Sequence, residues 1–173
     1  MKDIELKIVT ELMRNSRRSD RELAKVLHVS QPTVTRVRTR LEKEGIVKEY
    51  TMIPDFSRLD FNMISITLAT LKEPISEEKI KEVRKQLGKT LQTEPVSAVL
   101  AMSGMGCNAD RVFIAYHENY SAYIEFLNRI KQHPMVKVED VKSFLIDLTD
   151  KNQYLPLTLS ELAEYITHNK LGK

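Results

Sequence analysis

The 173 residues are 42% apolar and 29% charged, a globular mixture sufficient for the cores of one or two small domains. The longest apolar runs, such as Val99–Met102, fall far short of the roughly 20 residues that a membrane-spanning helix needs, which excludes a membrane protein and argues against a membrane partner. The alternating charges of Met1-Lys2-Asp3-Ile4-Glu5 do not read as a secretory signal, and the single cysteine, Cys107, allows no internal disulfide. Both features point to a reducing cytoplasm.

The net charge of +3 is unevenly spread: residues 1–50 hold 12 Lys+Arg against 8 Asp+Glu, and the remaining 123 hold 15 against 16. A basic segment followed by a neutral one suggests that the first meets a polyanion. A merely solvated basic face is the bland alternative, and charge alone does not separate the two.

Residues 1–50 read as three short helices. Ile4, Ile8, Leu12 and Met13 recur at helical spacing, and Asn15-Ser16-Arg17-Arg18 breaks the pattern. Ser19-Asp20-Arg21-Glu22 is a capping box that starts a second helix, expected to bury Leu23, Val26 and Leu27. After a turn at His28-Val29, Ser30 caps a third helix with Pro32 in its first turn, and Gly45 ends it. From Ile46 the chain reads as extended, and 51–60 as a linker.

Residues 61–149 then give a strand at Met63–Leu71 and a helix capped by Ser76 with Ile80, Val83 and Leu87 in one stripe. Strands follow at Val96–Met102 and Arg111–Tyr116, joined by a loop at Ser103–Asp110. A helix capped by Asn119 directs Ile124, Leu127 and Ile130 inward, and a last strand runs from Val138 to Leu148. The order is β-α-β-β-α-β, a ferredoxin-like unit, and the fold class is α+β with an N-terminal winged-helix-like domain. In the first strand Ile64, Ile66 and Leu68 alternate with Met63, Ser65, Thr67 and Ala69, leaving one small, semi-polar face that favours face-to-face or edge-to-edge dimerisation. In the 150–173 extension, Thr158-Leu159-Ser160-Glu161 reads as a second capping box with Leu157 and Leu162 as its hydrophobic staple. The helix it begins, presenting Leu159, Leu162, Ala163 and Ile166, is too short to stand alone and must dock on its own domain or a neighbouring subunit.

Two short helices joined by a tight turn form a helix-turn-helix, whose second helix lies in the DNA major groove. At 100° per residue Val34, Val37 and Leu41 form its buried stripe. Pro32, Arg36, Thr39 and Lys43 lie opposite, flanked by Thr35 and Arg40, with Gln31 and Thr33 at the free first turn and no acid among them. Arginine reads guanine, glutamine reads adenine, and a threonine methyl meets the thymine methyl. The expected base readers are therefore Gln31, Thr33, Thr35, Arg36, Thr39 and Arg40, with Arg17, Arg18, Arg21 and Lys25 on phosphates.

Asp3, Ile8, Leu12, Asn15, Arg18, Glu22-Leu23-Ala24, Leu27, Val29-Ser30, Val34, Arg36, Leu41-Glu42, Gly45-Ile46 and Tyr50 follow the order and spacing of the leucine-responsive regulatory protein/AsnC family. The chain resembles that family over about residues 3–150. The resemblance implies a DNA-binding transcription regulator that dimerises through its sheet domain, assembles further into tetramers or octamers, and is tuned by a small molecule, typically an amino acid. Two positions depart from the pattern. After Arg36 the family has a basic and then an apolar residue, whereas here Val37 precedes Arg38. The family's short Gly-x-x-Asp turn corresponds to a longer Ser103–Asp110 segment, making Gly104, Met105, Gly106 and Asp110 the implied effector residues.

Gly104-x-Gly106-x-x-Ala109 also matches a dinucleotide fingerprint, but a strand follows it where a helix is required. His28, His117, His133 and His168 show no metal-ligand spacing, Cys107 has no motif partner, and no acid/base or nucleophile constellation is present. Neither an enzyme nor a cofactor or metal is therefore expected. The rival from another class is a small-molecule-sensing oligomer whose N-terminal unit binds protein rather than DNA.

Overall fold

In a computed structural model describing residues 2–93, 97–152 and 155–171, the chain divides into two units, Met1–Pro54 with Gln153–Lys173, and Asp55–Asn152. The C-terminal extension therefore belongs to the N-terminal unit.

That unit is built from α1 (Asp3–Arg14), α2 (Asp20–Leu27) and α3 (Gln31–Lys43). Their apolar stripes meet in one core in which Ile8, Leu23, Val34 and Leu41 are fully buried and Leu12, Ala24 and Val37 nearly so. The capping box at Ser19 forms: its amide donates to Glu22 at 2.7 Å, and the Glu22 amide donates back to the Ser19 hydroxyl at 3.3 Å. Ser30 accepts from the Thr33 amide at 3.3 Å, with Pro32 in the first turn of α3. His28 closes α2 with a left-handed backbone (φ 53°), the reversal that lets α3 start only three residues later. Val26, expected in the core, is 47% exposed. Leu23, Ala24 and Leu27 define the inward direction of α2, and Val26 projects about 100° away from it.

The extension forms α6 (Ser160–Ile166) and a π-helical turn (Thr167–Leu171), both packed against α1. Ala163 is fully buried there, and Arg14 donates to Glu164 at 2.9 Å and to the Thr167 hydroxyl at 3.1 Å. The expected capping box at Thr158 does not form, because α6 begins at Ser160 and the Thr158 hydroxyl accepts from the Ser160 amide instead. Leu157 and Leu162 are 61% and 48% exposed, so no staple closes this end.

The second unit contains a 3-10 turn (Phe56–Leu59), β1 (Met63–Leu71), α4 (Glu77–Thr93), β2 (Ala98–Gly106), β3 (Ala109–His117), α5 (Tyr120–Lys131) and β4 (Val138–Asp147). The sheet is antiparallel in the order β2-β3-β1-β4, and with the preceding helices it makes the fold α+β. The linker expected over 51–60 is extended only in part. From Asp55 it belongs to the sheet unit, where the Phe56 ring stacks on Tyr116 at 3.9 Å. Val96, the expected first residue of β2, lies outside the described residues, as does the side chain of Leu87.

The small face of β1 is the covered one. Ser65, Thr67 and Ala69 are buried, and α5 packs on the same side through Phe126 and Ile130 against Ala115 and Phe113. Small residues permit that close approach of a helix to a sheet. The opposite face carries the larger residues: Ile64, Ile66 and Leu68 on β1, aligned with Tyr116, Ile114 and Val112 on β3 and with Ile146, Phe144 and Lys142 on β4. Phe56 and Phe61 cover it at Tyr116, and the part around Phe144 is uncovered. The buried stripe of α5 is Tyr123, Phe126 and Ile130, with Ile124 and Leu127 only half-buried.

The Ser103–Asp110 segment is not an open loop. β2 runs on to Gly106 and β3 starts at Ala109, joined by Cys107-Asn108 with φ of 51° and 59°. Two left-handed residues give the turn whose twist matches a two-residue hairpin.

Candidate nucleic-acid interface

The exposed residues of α3 are Gln31, Pro32, Thr35, Arg36, Thr39, Glu42 and Lys43; the one acid among them, Glu42, lies in the last turn and accepts from the Tyr50 hydroxyl at 2.6 Å. Gln31 and Pro32 occupy the first turn, which the Ser30 cap fixes. Arg36 lies one turn on and makes no hydrogen bond or ion pair to the described residues. Arg17, Arg21 and Lys25, on the turn into α2 and on α2 itself, are likewise exposed with no side-chain hydrogen bond or ion pair among the described residues. These six polar and cationic side chains, Gln31, Arg36, Lys43, Arg17, Arg21 and Lys25, are available to a partner.

Other expected contacts are engaged inside the unit. Arg18 pairs with the buried Glu11 at 2.6 Å. Arg40 pairs with Glu5 on α1 and lies 3.9 Å from Glu44, which turns it off the outward face. The Lys2 amide, and then Arg40, hold the pKa of Glu5 below the usual range. Thr33 shares its hydroxyl with that of Ser30 at 2.8 Å. Thr39 remains exposed.

Arg38 forms the most connected group of the unit. It donates to the Tyr50 hydroxyl at 2.8 Å, to Asp20 at 3.0 Å and to the Arg18 carbonyl at 3.2 Å, and lies 3.4 Å from Glu42. Its guanidinium also sits 4.6 Å from the Tyr50 ring centre, a cation–π contact. Burial alone lowers its pKa, but the bonds to Tyr50 and Asp20 outweigh that and hold it above the ordinary arginine value. Asp20 and Tyr50 were not legible as partners of α3: Asp20 lies 15 and 18 residues from the side chains it holds, beyond any helical or strand period.

The implied effector residues lie at the turn end of the hairpin, where Gly106 pairs with Ala109. Gly104 and Met105 lie in β2, with Met105 fully exposed, and Gly106 takes φ 133° beside the turn. Asp110, in β3, accepts the Leu71 amide at 2.8 Å. Among the described residues no cluster of His, Cys, Asp or Glu could hold a metal ion, and no helix is long and apolar enough to cross a membrane.

Residues 1–48 match the model of a winged helix-turn-helix DNA-binding family. An uncharacterised HTH-type transcriptional regulator of Pyrococcus abyssi is 33% identical over 96 residues, 50% of this chain and 64% of that protein. The HTH-type transcriptional regulator LrpC of Bacillus subtilis is 41% identical over 69 residues, 40% of this chain and 48% of its own length. The matched segments thus span between about half and just under two thirds of these relatives. The solved structure of B. subtilis LrpC aligns more fully, at a TM-score of 0.66 and 26% identity over 90% of this chain and 99% of that one. The chain is thus similar to LrpC in sequence over its N-terminal part and in fold over most of its length. A transcriptional regulator of Neisseria meningitidis, solved as a complex with L-Met, shares the fold at a TM-score of 0.68 and 16% identity over 94% of this chain and 99% of its own. Against the Lrp/AsnC pattern, the reversed Val37-Arg38 pair now has a physical reason. Val37 fills the core at 5% exposure, and Arg38 is the clamp just described.

Proposed function

We propose that this protein is a sequence-specific, DNA-binding transcription regulator acting in the cytoplasm. The observation that carries the reading is the stretch Gln31–Thr39 of α3, whose exposed residues include no acid, beside three uncommitted cations, Arg17, Arg21 and Lys25. Asp20, at the start of α2, is neutralised by Arg38 at 3.0 Å. Arg36 and Gln31 read base edges, Arg17, Arg21 and Lys25 hold phosphates, and Arg18 and Arg40 support the module from within. DNA binding is assigned to residues 1–54 and self-association to 55–152, a division that the two compact units support.

Self-association uses the uncovered apolar face of the sheet, giving a homodimer from which larger assemblies are built. A small-molecule effector of the amino-acid class acts near Gly104–Asp110. Support for it is the family resemblance and the L-Met held by the Neisseria regulator.

A salt titration of binding to duplexes enriched from a random pool tests the main reading. Log K falls linearly with log[salt], with a slope of about −0.9 per neutralised phosphate, and Arg17→Ala and Arg21→Ala each reduce that slope by about one. Binding that is undetectable or indifferent to salt, with the oligomer intact, refutes it in favour of a protein-binding N-terminal unit.

A further inference from the structure

The orientation of α3 is set by more than its apolar stripe. Asp20, the first residue of α2, uses both carboxylate oxygens on α3: one accepts from Arg38 at 3.0 Å, the other from the Thr35 hydroxyl at 2.6 Å. Arg38 cannot swing away easily, because the same guanidinium also bonds the Arg18 carbonyl and the Tyr50 hydroxyl. Arg38 and Asp20 are each only about one-fifth exposed, so the pair sits in partial shelter from water and is stronger than a surface ion pair. Asp20 is therefore fixed, and with it the side chain of Thr35.

A hydroxyl has one hydrogen to give. Thr35 gives its hydrogen inside the unit, to Asp20 or to the Gln31 carbonyl at 3.2 Å, and has none for a base acceptor such as guanine O6 or thymine O4. Yet Thr35 is exposed, next to Gln31 and Arg36 on the outward side of α3. What it has left to offer is its methyl group, and an oxygen that can only accept, as from adenine N6 or cytosine N4; Thr35→Val, which keeps the methyl and lacks the oxygen, separates the two. We propose that Thr35 reads the C5 methyl of a thymine with its own methyl, and that Asp20, braced by Arg38, is the positioning residue that holds it in that orientation. The proposal rests on the DNA-binding reading and adds to it one residue, one base and one kind of contact.

The test uses the full chain and duplexes that it enriches from a random pool. Each thymine is replaced in turn by uracil, which lacks only the C5 methyl, and the dissociation constant is measured for the wild type, Thr35→Ser, Thr35→Val and Asp20→Ala. One uracil position weakens the wild type about fourfold, the worth of one buried methyl. Thr35→Ser keeps the hydroxyl and has already lost that factor, so uracil at this position costs it nothing more. Thr35→Val keeps the methyl and stays sensitive to uracil. Asp20→Ala, with its fold checked by circular dichroism, loses the uracil sensitivity at that position while changes of the base pair read by Arg36 still weaken it, which a general loss of structure does not predict. Equal uracil penalties in the wild type and Thr35→Ser at every thymine overturn the assignment, as does loss of sensitivity in Thr35→Val or a site without such a thymine. If no duplex is enriched at all, the DNA reading fails and the assignment falls with it.

Discussion

Phe144 gives the sharpest handle on self-association. It lies on the uncovered face of the sheet, opposite Ile66 of β1, and 69% of it is exposed in the single chain. Full burial of such a side chain stabilises by about 1.5–3 kcal/mol, so roughly two thirds of that, about 1–2 kcal/mol, is still to be gained when a partner covers the face. A two-fold interface uses every residue twice, so Phe144→Ala weakens the dimer by about 2–4 kcal/mol, or roughly 30- to 1000-fold in its dissociation constant. Phe144→Glu adds the desolvation of two carboxylates and leaves only monomer. Sedimentation velocity over a dilution series reads both shifts directly. If the two variants sediment as the wild type does at every concentration, the sheet face is not the interface and pairing through an edge strand takes its place. The comparison is decisive because an edge contact made through backbone groups is indifferent to a side chain on the open face.

Other outcomes follow from single sites. Leu41→Ala removes a side chain with no exposed surface from the middle of the helical core and lowers the stability of that unit by about 2–5 kcal/mol, read by chemical denaturation; a loss below 1 kcal/mol contradicts the packing described. His117, 1% exposed and hydrogen-bonded to Ser65 at 2.8 Å, has its pKa lowered by burial. The unfolded chain then takes up the proton first as pH falls. Stability is full above the ordinary histidine value of about 6.5, declines below it, and stops declining under the depressed folded value, with about 1.4 kcal/mol lost per unit of depression. His133 shifts in the same direction, also through burial. The comparison is therefore wild type against His117→Asn at pH 7.5 and pH 5, and identical pH dependence of the two refutes the assignment. Arg36→Ala costs about 1–3 kcal/mol at one base pair of an enriched duplex and far less on random DNA, and equal losses on both remove Arg36 from the base readers.

What the sequence made legible was local in every instance. The caps at Ser19, Ser30 and Asn119 and the stripe of Val34, Val37 and Leu41 are set by residues within four positions of one another, and all of them form. The same periodicity put Arg40 on the outward flank of α3, where its long side chain was free in principle to swing either way. Glu5, 35 residues earlier, decides the direction, and no period reports on that distance. Arg18 and Glu11 repeat the case from the other end of α1. The hairpin failed for a different reason. Cys107-Asn108 is a poor match to the Asn-Gly and Gly-Gly pairs that signal a two-residue turn, so the flanking glycines drew the reading toward a loop. On the sheet, alternation was correctly read in β1, but which of its two faces the helices would cover depended on α5, whose own stripe was placed on Ile124 and Leu127 instead of Tyr123 and Phe126.

The extension illustrates how weakly a correctly anticipated element can be held. Its docking on α1 orders seven helical residues and a five-residue turn, each at about 1–2 kcal/mol of backbone entropy. Opposing that are one fully buried side chain, Ala163, the half-buried Ile166 and Leu171, and two hydrogen bonds from Arg14, while Leu159, Leu162 and Tyr165 stay exposed. A helix of this length is not stable without its contact, and the contact is small. The segment therefore opens by itself, well below the free energy that unfolds the core around Ile8 and Leu41. In amide hydrogen exchange, residues 163–171 exchange far faster than the middle of α1 and α3, and Arg14→Ala accelerates them further without altering α3. Protection of that segment equal to that of Leu41 overturns the argument, because it requires the extension to share the core's cooperative unfolding. Thr10 and Glu11 beneath it, 1% and 9% exposed when it is docked, become accessible at each opening, so the exposed flank of α1 is coupled to the state of the C-terminus while the outward side of α3 is not.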